Sequence, residues 1–474
     1  MPISALPAKD GLKKALRLIS SRVSSLGSSG LGPTGPGSTG LRSSGRRSSG
    51  LRSTGGLTLP AALALPLTAA VSRRAADDRS PASSLLQLED VLSIPVPESN
   101  AENEAADQAI AEGQFLARQD RWDTLEKRIA EVDLARDATP GGTSIADLIA
   151  YGARADVINA VDHALMAGLP LTERVTLEGI MSLERVRLEF GRSPVLSTVV
   201  ALAHLDIAWA CRRNSARGAA HGKGALSPRA TAHHARAGEI LSMLPDTCSA
   251  HPFHQAARCA LYSGGGPAAP RQIADDYIDL IQMAPGNPRH LRALGTHLAE
   301  QDHEGLSALD LEARRVAALV ESDWGAAGYT WVYFDALARS DAACARLDVD
   351  FFLEGVGDIV ARAPNQDRVN LLSAYCSIVL KPDPKADPEA RRVRNRIAEA
   401  ANWLIRDHLR ELNPLIWAHA GAGFDNDAQV SSARTFAERG RADALRAIAD
   451  LFRDDIEAGH RVVFTPEGPR VTPG

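Results

Sequence analysis

The 474-residue sequence predicts an all-α protein built of antiparallel helix hairpins, and three observations carry that expectation. From Glu98 onward apolar residues recur at spacings of three and four, with no run of strict apolar–polar alternation. Aromatic residues make up only 5% of a chain that is 45% apolar, and alanine is abundant; this favours helix packing through small residues over a sandwich or barrel. Most breaks between periodic segments are short and rich in Pro and Gly, so successive helices should fold back on one another.

The first stretch differs from the rest. Residues 1–80 carry 12 Lys/Arg against 3 Asp/Glu, whereas the remainder carries 41 against 55, a balance of −14. Leu26–Gly55 is a degenerate pentapeptide repeat (LGSSG, LGPTG, PGSTG, LRSSG, RRSSG, LRSTG) too poor in apolar residues to offset the entropy of ordering it. Residues 1–82 are therefore expected to be a disordered Ser/Gly/Arg-rich arm. Within it Leu57–Val71 is apolar, but it is 15 residues long and holds Pro60 and Pro66, whereas a bilayer span needs about 20 apolar residues. A start near Leu41 would turn the same stretch into a signal-peptide pattern. No later segment is expected to be long and apolar enough to cross a membrane. Ser83–Ile94 is a short amphipathic patch in which Leu85, Leu88 and Leu92 have helical spacing.

The helical body follows in order: an N-terminal helical region over 98–213, a repeat region over 227–412, a C-terminal helix over 427–459 and an extended tail over 460–474. The polar, Gly-containing Asn214–Leu226 is the internal boundary. Single helices are expected over Trp324–Arg339, Ala342–Ala363, Pro388–Leu412 and Asp427–Glu457. Ser227-Pro228, Asp387-Pro388 and Asn413-Pro414 pair a capping residue with a first-turn proline, and Ser340 should cap the helix after it. In the tail Val462-Val463-Phe464 suits one short extended segment. Of the 22 aromatic residues, seven fall between Trp324 and Phe352, so the largest packing contribution should lie there. Trp324, Ala327, Trp331, Phe334 and Ala338 form one stripe, expected against Leu347, Phe351 and Gly355. Tyr329 and Tyr333 lie off the stripe and are candidate surface contacts.

One spacing recurs. It reads Leu291-x-x-Leu294-Gly295-x-x-Leu298, again Trp324-x-x-Ala327-Gly328-x-x-Trp331, and more weakly Phe253-x-x-Ala256-Ala257-x-x-Ala260 and Val369-x-x-Leu372-Ser373-x-x-Cys376. The small residue lets a neighbouring helix approach, and the large ones fill the groove beside it. Pro285 and Tyr277 stand upstream of Leu291 as a helix-ending proline and a second-helix aromatic. Over Pro252–Leu380 the pattern resembles the tetratricopeptide repeat family. Its intervals of 38, 33 and 45 residues vary, and the second helices match poorly. The resemblance implies hairpins stacked as an α-solenoid, a scaffold whose concave face holds peptides or protein partners, and no catalysis.

The chemistry-bearing residues are few. The odd count of five cysteines in a long chain disfavours a disulfide framework and suits reduced thiols in the cytoplasm. Cys248-x-x-His251-x-x-His254-x-x-x-x-Cys259 holds four metal-ligand types. Pro252 should start a helix there, however, and His254 and Cys259 would then project about 140° apart. Cys259 is expected in the core and His254 partly exposed, with no metal, cofactor or catalytic residue assigned. Arg391, Arg392 and Arg394 open a helix as a basic cluster, a candidate contact for an acidic peptide. Asp350, Glu354 and Asp358 share a face that should be solvated or paired with arginine. The acidic body disfavours nucleic acid as the main ligand. The expected role is a protein–protein scaffold. Two others stay open: an all-α metal-binding protein or enzyme using Cys248–Cys259, and a nucleic-acid-associated regulator using Arg391–Arg396 and the arm.

Overall fold

The computed structural model describes residues 88–168, 174–218, 227–264, 268–300, 303–381, 385–422 and 432–474. The arm at 1–82, the segment Leu57–Val71, Leu85 and most of the Asn214–Leu226 boundary lie outside these residues. The described chain is mostly helical. Its longer helices are α1 (Ala101–Arg118), α2 (Trp122–Ala135), α3 (Ile145–Met166), α4 (Arg174–Glu189), α5 (Pro194–Gly218), α6 (Pro228–Ser242), α7 (Pro252–Ala260) and α8 (Pro270–Met283). They continue as α9 (Pro288–Glu300), α10 (His303–Leu319), α11 (Ala327–Arg339), α12 (Val349–Arg362), α13 (Gln366–Ala374), α14 (Pro388–Ala398), α15 (Pro414–Ala422) and α16 (Ala433–Leu451).

The apolar residues form two cores. One takes α1 to α6 and the inward residues Phe253 and Ala257 of α7; the other runs from Cys259 of α7 to Phe464 and includes Leu92. Helix α7 is therefore the seam. Ala230, Ala237, Ile240 and Leu241 of α6 sink into the same core as α5, so the cores divide at α7 and not at Asn214–Leu226. Helix α5 corrects one expectation: Pro194–Asn214 is long and apolar enough to cross a membrane, but 83% of its apolar stretch is buried inside the fold.

A polar junction ties the start of the first core to the second. Asn100 caps α1 by accepting from the Asn103 amide, and its Nδ2 donates to Asp367 at 2.9 Å. Glu102 accepts from Thr139 Oγ1 at 2.8 Å and from the Gly141 amide at 2.6 Å, and Arg368 reaches the Gly141 carbonyl at 3.3 Å.

Helix α11 lies at the centre of the second core, and every residue from Ala327 to Leu337 is buried. It packs against α9, α10 and α12, and each approach passes over a glycine. A Cβ at 295 would overlap the Val332 carbonyl oxygen; one at 328 would stand 2.7 Å from Val320 Cγ2; one at 355 would overlap Thr330 Oγ1. Two of these glycines are the small residues of the recurring spacing, and the corresponding Ala257 and Ser373 are also buried. Reciprocal glycines join α1 to α3, where Gly113 meets the Ile149 carbonyl and Gly152 the Ile110 carbonyl.

Several boundaries differ from expectation for local reasons. The Trp324–Arg339 helix is split at Gly325 (φ 58°), a left-handed position whose absent side chain makes room for Asp358. Ser340 does cap a helix by accepting from the Ala343 amide, but that helix ends at Cys344, and Asp348 starts α12 by accepting from Phe351. Helix α14 stops at Ala398, and a π-turn over Leu404–His408 precedes Leu409. The tail is not a single extended segment. Strand β2 (His460–Thr465) pairs antiparallel with β3 (Gly468–Pro473) and parallel with β1 (Leu92–Ser93), with Leu92 opposite Val462. Leu92 thus belongs to a strand, not to the helical spacing read from it. The alternation is real but brief: Val462 and Phe464 are buried and Val463 is half-buried.

Gly295→Ala should lower the unfolding free energy by about 2–3 kcal/mol, because a backbone carbonyl must move to admit the methyl group. Gly357→Ala on the open side of α12 should instead raise it by about 0.5–1 kcal/mol, since a Cβ there meets nothing within 4 Å. Urea unfolding of the two variants reads both signs.

Candidate functional site

Tyr329 and Tyr333, expected at the surface, are completely buried. The stripe reading failed because α11 has no solvent side from Ala327 to Leu337: Phe334 faces Arg292 of α9 and Tyr375, while Tyr329 and Thr330 face α12. Ala338, assigned to the buried stripe, is the residue left exposed. The Tyr329 hydroxyl donates to Asp310 Oδ1 at 2.7 Å and accepts from the Asp348 amide at 3.0 Å, and Tyr333 reaches the same Asp310 oxygen at 3.4 Å. Arg314 closes the group, bonding Asp310 at 3.0 Å and Asp348 at 3.1 Å with its guanidinium over the Tyr329 ring. Burial pushes both phenols up, so they stay protonated and act as fixed donors. This network ties α10, α11 and α12 together.

The basic cluster divides by helical period. Asp387 accepts from the amides of Glu389 and Ala390, and Pro388 fills the first turn, which fixes where α14 begins. Ala390, Arg394 and Ile397 then fall on the buried face at i, i+4 and i+7. Arg394 is 8% exposed; its Nε donates to the Leu337 carbonyl at 2.9 Å and its Nη1 bonds Asp341 at 2.6 Å. It satisfies a carbonyl at the end of α11 and is no surface contact. Arg391, Arg392, Asn395, Arg396 and Glu399 occupy the outward face and, with Pro388, line a cleft of about 450 Å³. Arg392 pairs with Glu389 at 3.1 Å and Arg396 with Asp350. Asp358 accepts from the Ala326 amide at 2.7 Å, so the acidic face of α12 is partly used in pairing. Asn395 and Arg396 complete the cleft; the same period that places Arg391 and Arg392 outside places them beside it.

The Cys248–Cys259 segment does not converge. Cys259 is buried with its thiol toward the Asp276 carbonyl, 3.6 Å away, whereas Cys248 lies in the turn before α7. Among the described residues no group of three or more His, Cys, Asp or Glu side chains is placed to hold a metal ion. Burial pushes both thiols up, that of Cys259 far up, so neither is a thiolate nucleophile near neutral pH.

His254, expected partly exposed, is 5% exposed because the seam covers both sides of α7. Its Nδ1 lies 2.6 Å from Thr198 Oγ1, which also donates to the Pro194 carbonyl at 2.9 Å. Burial depresses its pKa to about 4, and the charges of His251 and Arg258 act the same way. Asp133 of α2, 6% exposed, accepts from the Phe253 amide at 3.0 Å and lies 3.4 Å from His251 Nδ1. It thereby caps α7 from a separate element. Asp133, His251 and His254 border a cavity of about 270 Å³ whose remaining walls are Ile129, Ala130, Pro194, Val195 and Phe253, with Thr247 and Cys248 from the turn before α7. Neither Asp133 nor Thr198 was singled out from the sequence. The available signal for Asp133 was a carboxylate four residues after Ile129, on the apolar face of α2.

Comparison with protein-family models, curated proteins and solved structures returns no match.

Behind Asp133, Asp147 is 7% exposed and its pKa is pushed up to about 7, first by burial and then by Asp133, against Arg154 and Arg289. An unfolded aspartate titrates near 3.9. Between about pH 4 and 7 the folded state therefore binds more protons at this site, and its contribution to stability falls as pH rises through that window. Asp147→Asn removes the charge that burial penalises. It should be more stable than wild type by about 2–4 kcal/mol at pH 8, with the difference shrinking toward zero at pH 4, since each pKa unit is worth about 1.4 kcal/mol. Urea midpoints of both proteins across that range give the comparison.

Proposed function

We propose that the chain is a helical-repeat scaffold of tetratricopeptide-like kind, its hairpins stacked as an α-solenoid, which binds an acidic segment of a protein partner. The observation that carries the binding reading is the outward face of α14, where Arg391, Arg392, Asn395 and Arg396 border one cleft. Guanidinium groups recognise carboxylates through paired, directional hydrogen bonds, and two of these arginines already lie beside acidic neighbours that a carboxylate ligand can replace. Those pairs lie on exposed side chains and are worth about 0–1 kcal/mol each, so exchanging them costs little. The repeat architecture is supported by Gly295 and Gly328, which stand at the same position of one spacing and each lie at a close helix crossing. The reading places the protein in the cytoplasm, in keeping with five buried cysteines that are all free thiols.

The test is binding of a fluorescent Glu-rich peptide at low salt to wild type and to a triple Arg391→Glu, Arg392→Glu, Arg396→Glu variant. Wild type should bind, more weakly as salt rises, and the variant at least tenfold more weakly. Equal binding by the two proteins removes α14 as the docking face. Tighter binding of a single-stranded oligonucleotide than of the peptide replaces this reading with the nucleic-acid one.

A further inference from the structure

The cavity at the α7 seam is a second kind of site, independent of the α14 cleft. Its walls come from four places: Ile129 and Asp133 on α2, Val195 on α5, Thr247 and Cys248 in the turn before α7, and His251, Phe253 and His254 at the start of α7. An apolar cavity of about 150 Å³ takes a benzene ring. At about 270 Å³ this one has room for a single substituted ring and little more.

The hydrogen bonds fix what the ring must carry. Thr198 has one hydroxyl proton, and the Pro194 carbonyl 2.9 Å away can only accept it. Thr198 Oγ1 must then accept from His254, which puts the imidazole proton on Nδ1. Nε2 is left with a lone pair and no partner in the protein, on a side chain more than nine-tenths buried. Thr247 is exposed, Cys248 adds a buried thiol, and the carboxylate in the lining is committed. Asp133 holds the Phe253 amide and His251, and the half-exposed His251 turns Nδ1 toward that carboxylate. Its ring stands edge-on to His254 at 6.0 Å. Among the buried imidazoles and carboxylates of the lining, His254 Nε2 is thus the neutral acceptor left open, beside largely apolar walls. The chamber disfavours an anion, because Asp133 lies in the lining, and it offers a cation no uncommitted carboxylate oxygen.

We propose that this cavity binds a small neutral aromatic molecule carrying a hydrogen-bond donor, of the phenol class, with its ring against Ile129, Val195 and Phe253 and its hydroxyl donating to His254 Nε2. A ligand without the donor leaves Nε2 buried and unpaired, so the site discriminates by the hydroxyl more than by ring size.

The experiment uses full-length protein and fluorine NMR with 4-fluorophenol and fluorobenzene as probes. Ala130 lines the mouth and is itself exposed, so Ala130→Trp blocks entry without entering the core. Wild type should bind 4-fluorophenol saturably and fluorobenzene at least tenfold more weakly. Ala130→Trp should lose both, and His254→Phe should reduce the phenol to the level of fluorobenzene. Circular dichroism establishes that each variant is folded; if His254→Phe is not, Ala130→Trp and the two wild-type affinities decide. Non-saturable binding, equal affinity for the two probes, or undiminished binding by Ala130→Trp overturns the proposal.

Discussion

The distance at which helices cross α11 governs the second core. An α-helix normally packs on one stripe and gives another to solvent. Helix α11 gives none away, so α9, α10 and α12 must all close on it, and each does so where a side chain is missing. With a Cβ at Gly295, Gly328 or Gly355 the overlap includes backbone – the Val332 carbonyl, Ala317 Cα and the Ala326 carbonyl – which cannot rotate away as a flexible side-chain end can. Three separate crossings therefore meet one steric condition. Once the backbones are this close, Trp331, Phe334 and Tyr375 fill the remaining space in direct contact, with the Phe334 and Tyr375 rings stacked at 4.0 Å. The same solution at α1 and α3, and at α15 and α16 through Gly440, makes backbone approach through glycine a habit of the chain.

Enclosing a helix completely also encloses its polar groups, and the charges beside α11 answer that cost. Asp335 is buried and takes both ends of Arg292 at 2.8 Å, while the same guanidinium covers the Phe334 ring. Arg394 holds the Leu337 carbonyl, and Tyr375 donates to the Phe334 carbonyl at 2.7 Å. Removing one partner from such a group leaves a buried charge or carbonyl unmet, which costs more than the bond itself contributes. The match is incomplete in both cores: on α11 itself the buried Trp331 Nε1 has no hydrogen-bond partner, and in the first core a buried charge pair is left short. Arg154 and Asp206 meet at 2.7 Å between α3 and α5, yet Arg154 Nη1 and Asp206 Oδ1 have no protein partner. A buried pair left incomplete is weak support for stability, and its clearer effect is on register, because sliding α3 along α5 would separate the two charges.

Much of the helical architecture was legible because its signals are local. The period of three and four, the capping residue followed by proline at Asp387-Pro388, and the small residue within a large-small-large spacing all act within one or two turns. The misread residues depend on what covers an element from outside. Tyr329 and Tyr333 lay off the apolar stripe and were assigned to solvent, but a helix with three close neighbours has no face to spare. Arg394 sits in a basic run, and only its position four residues after Ala390 and three before Ile397 marks it as inward. Strand β2 was half read, since Val462-Val463-Phe464 is too short to show alternation, and its partner Leu92 lies 370 positions earlier. The seam cavity was the least legible. Cys248, His251, His254 and Cys259 attracted attention as possible ligands together, yet the groups that give His254 its tautomer and α7 its cap come from α5 and α2.

The position of that cavity follows from the length of α7. Nine residues must serve two cores at once, and Phe253 and Ala257 turn into one while Cys259 turns into the other. The polar residues at its start cannot reach solvent from a seam closed on both sides. Gln255 is met by the Asp276 carbonyl at 3.1 Å, His254 by Thr198, and the Phe253 amide by Asp133. So short a helix has no residue left to fill the space between its first turn and α2, and the space stays open beside the only nitrogen of His254 that the protein does not bond. Around α11 a missing side chain draws backbones together; at α7 the shortage of residues keeps two elements apart. Close helix crossings and an internal cavity thus arise in one chain from opposite outcomes of the same packing problem.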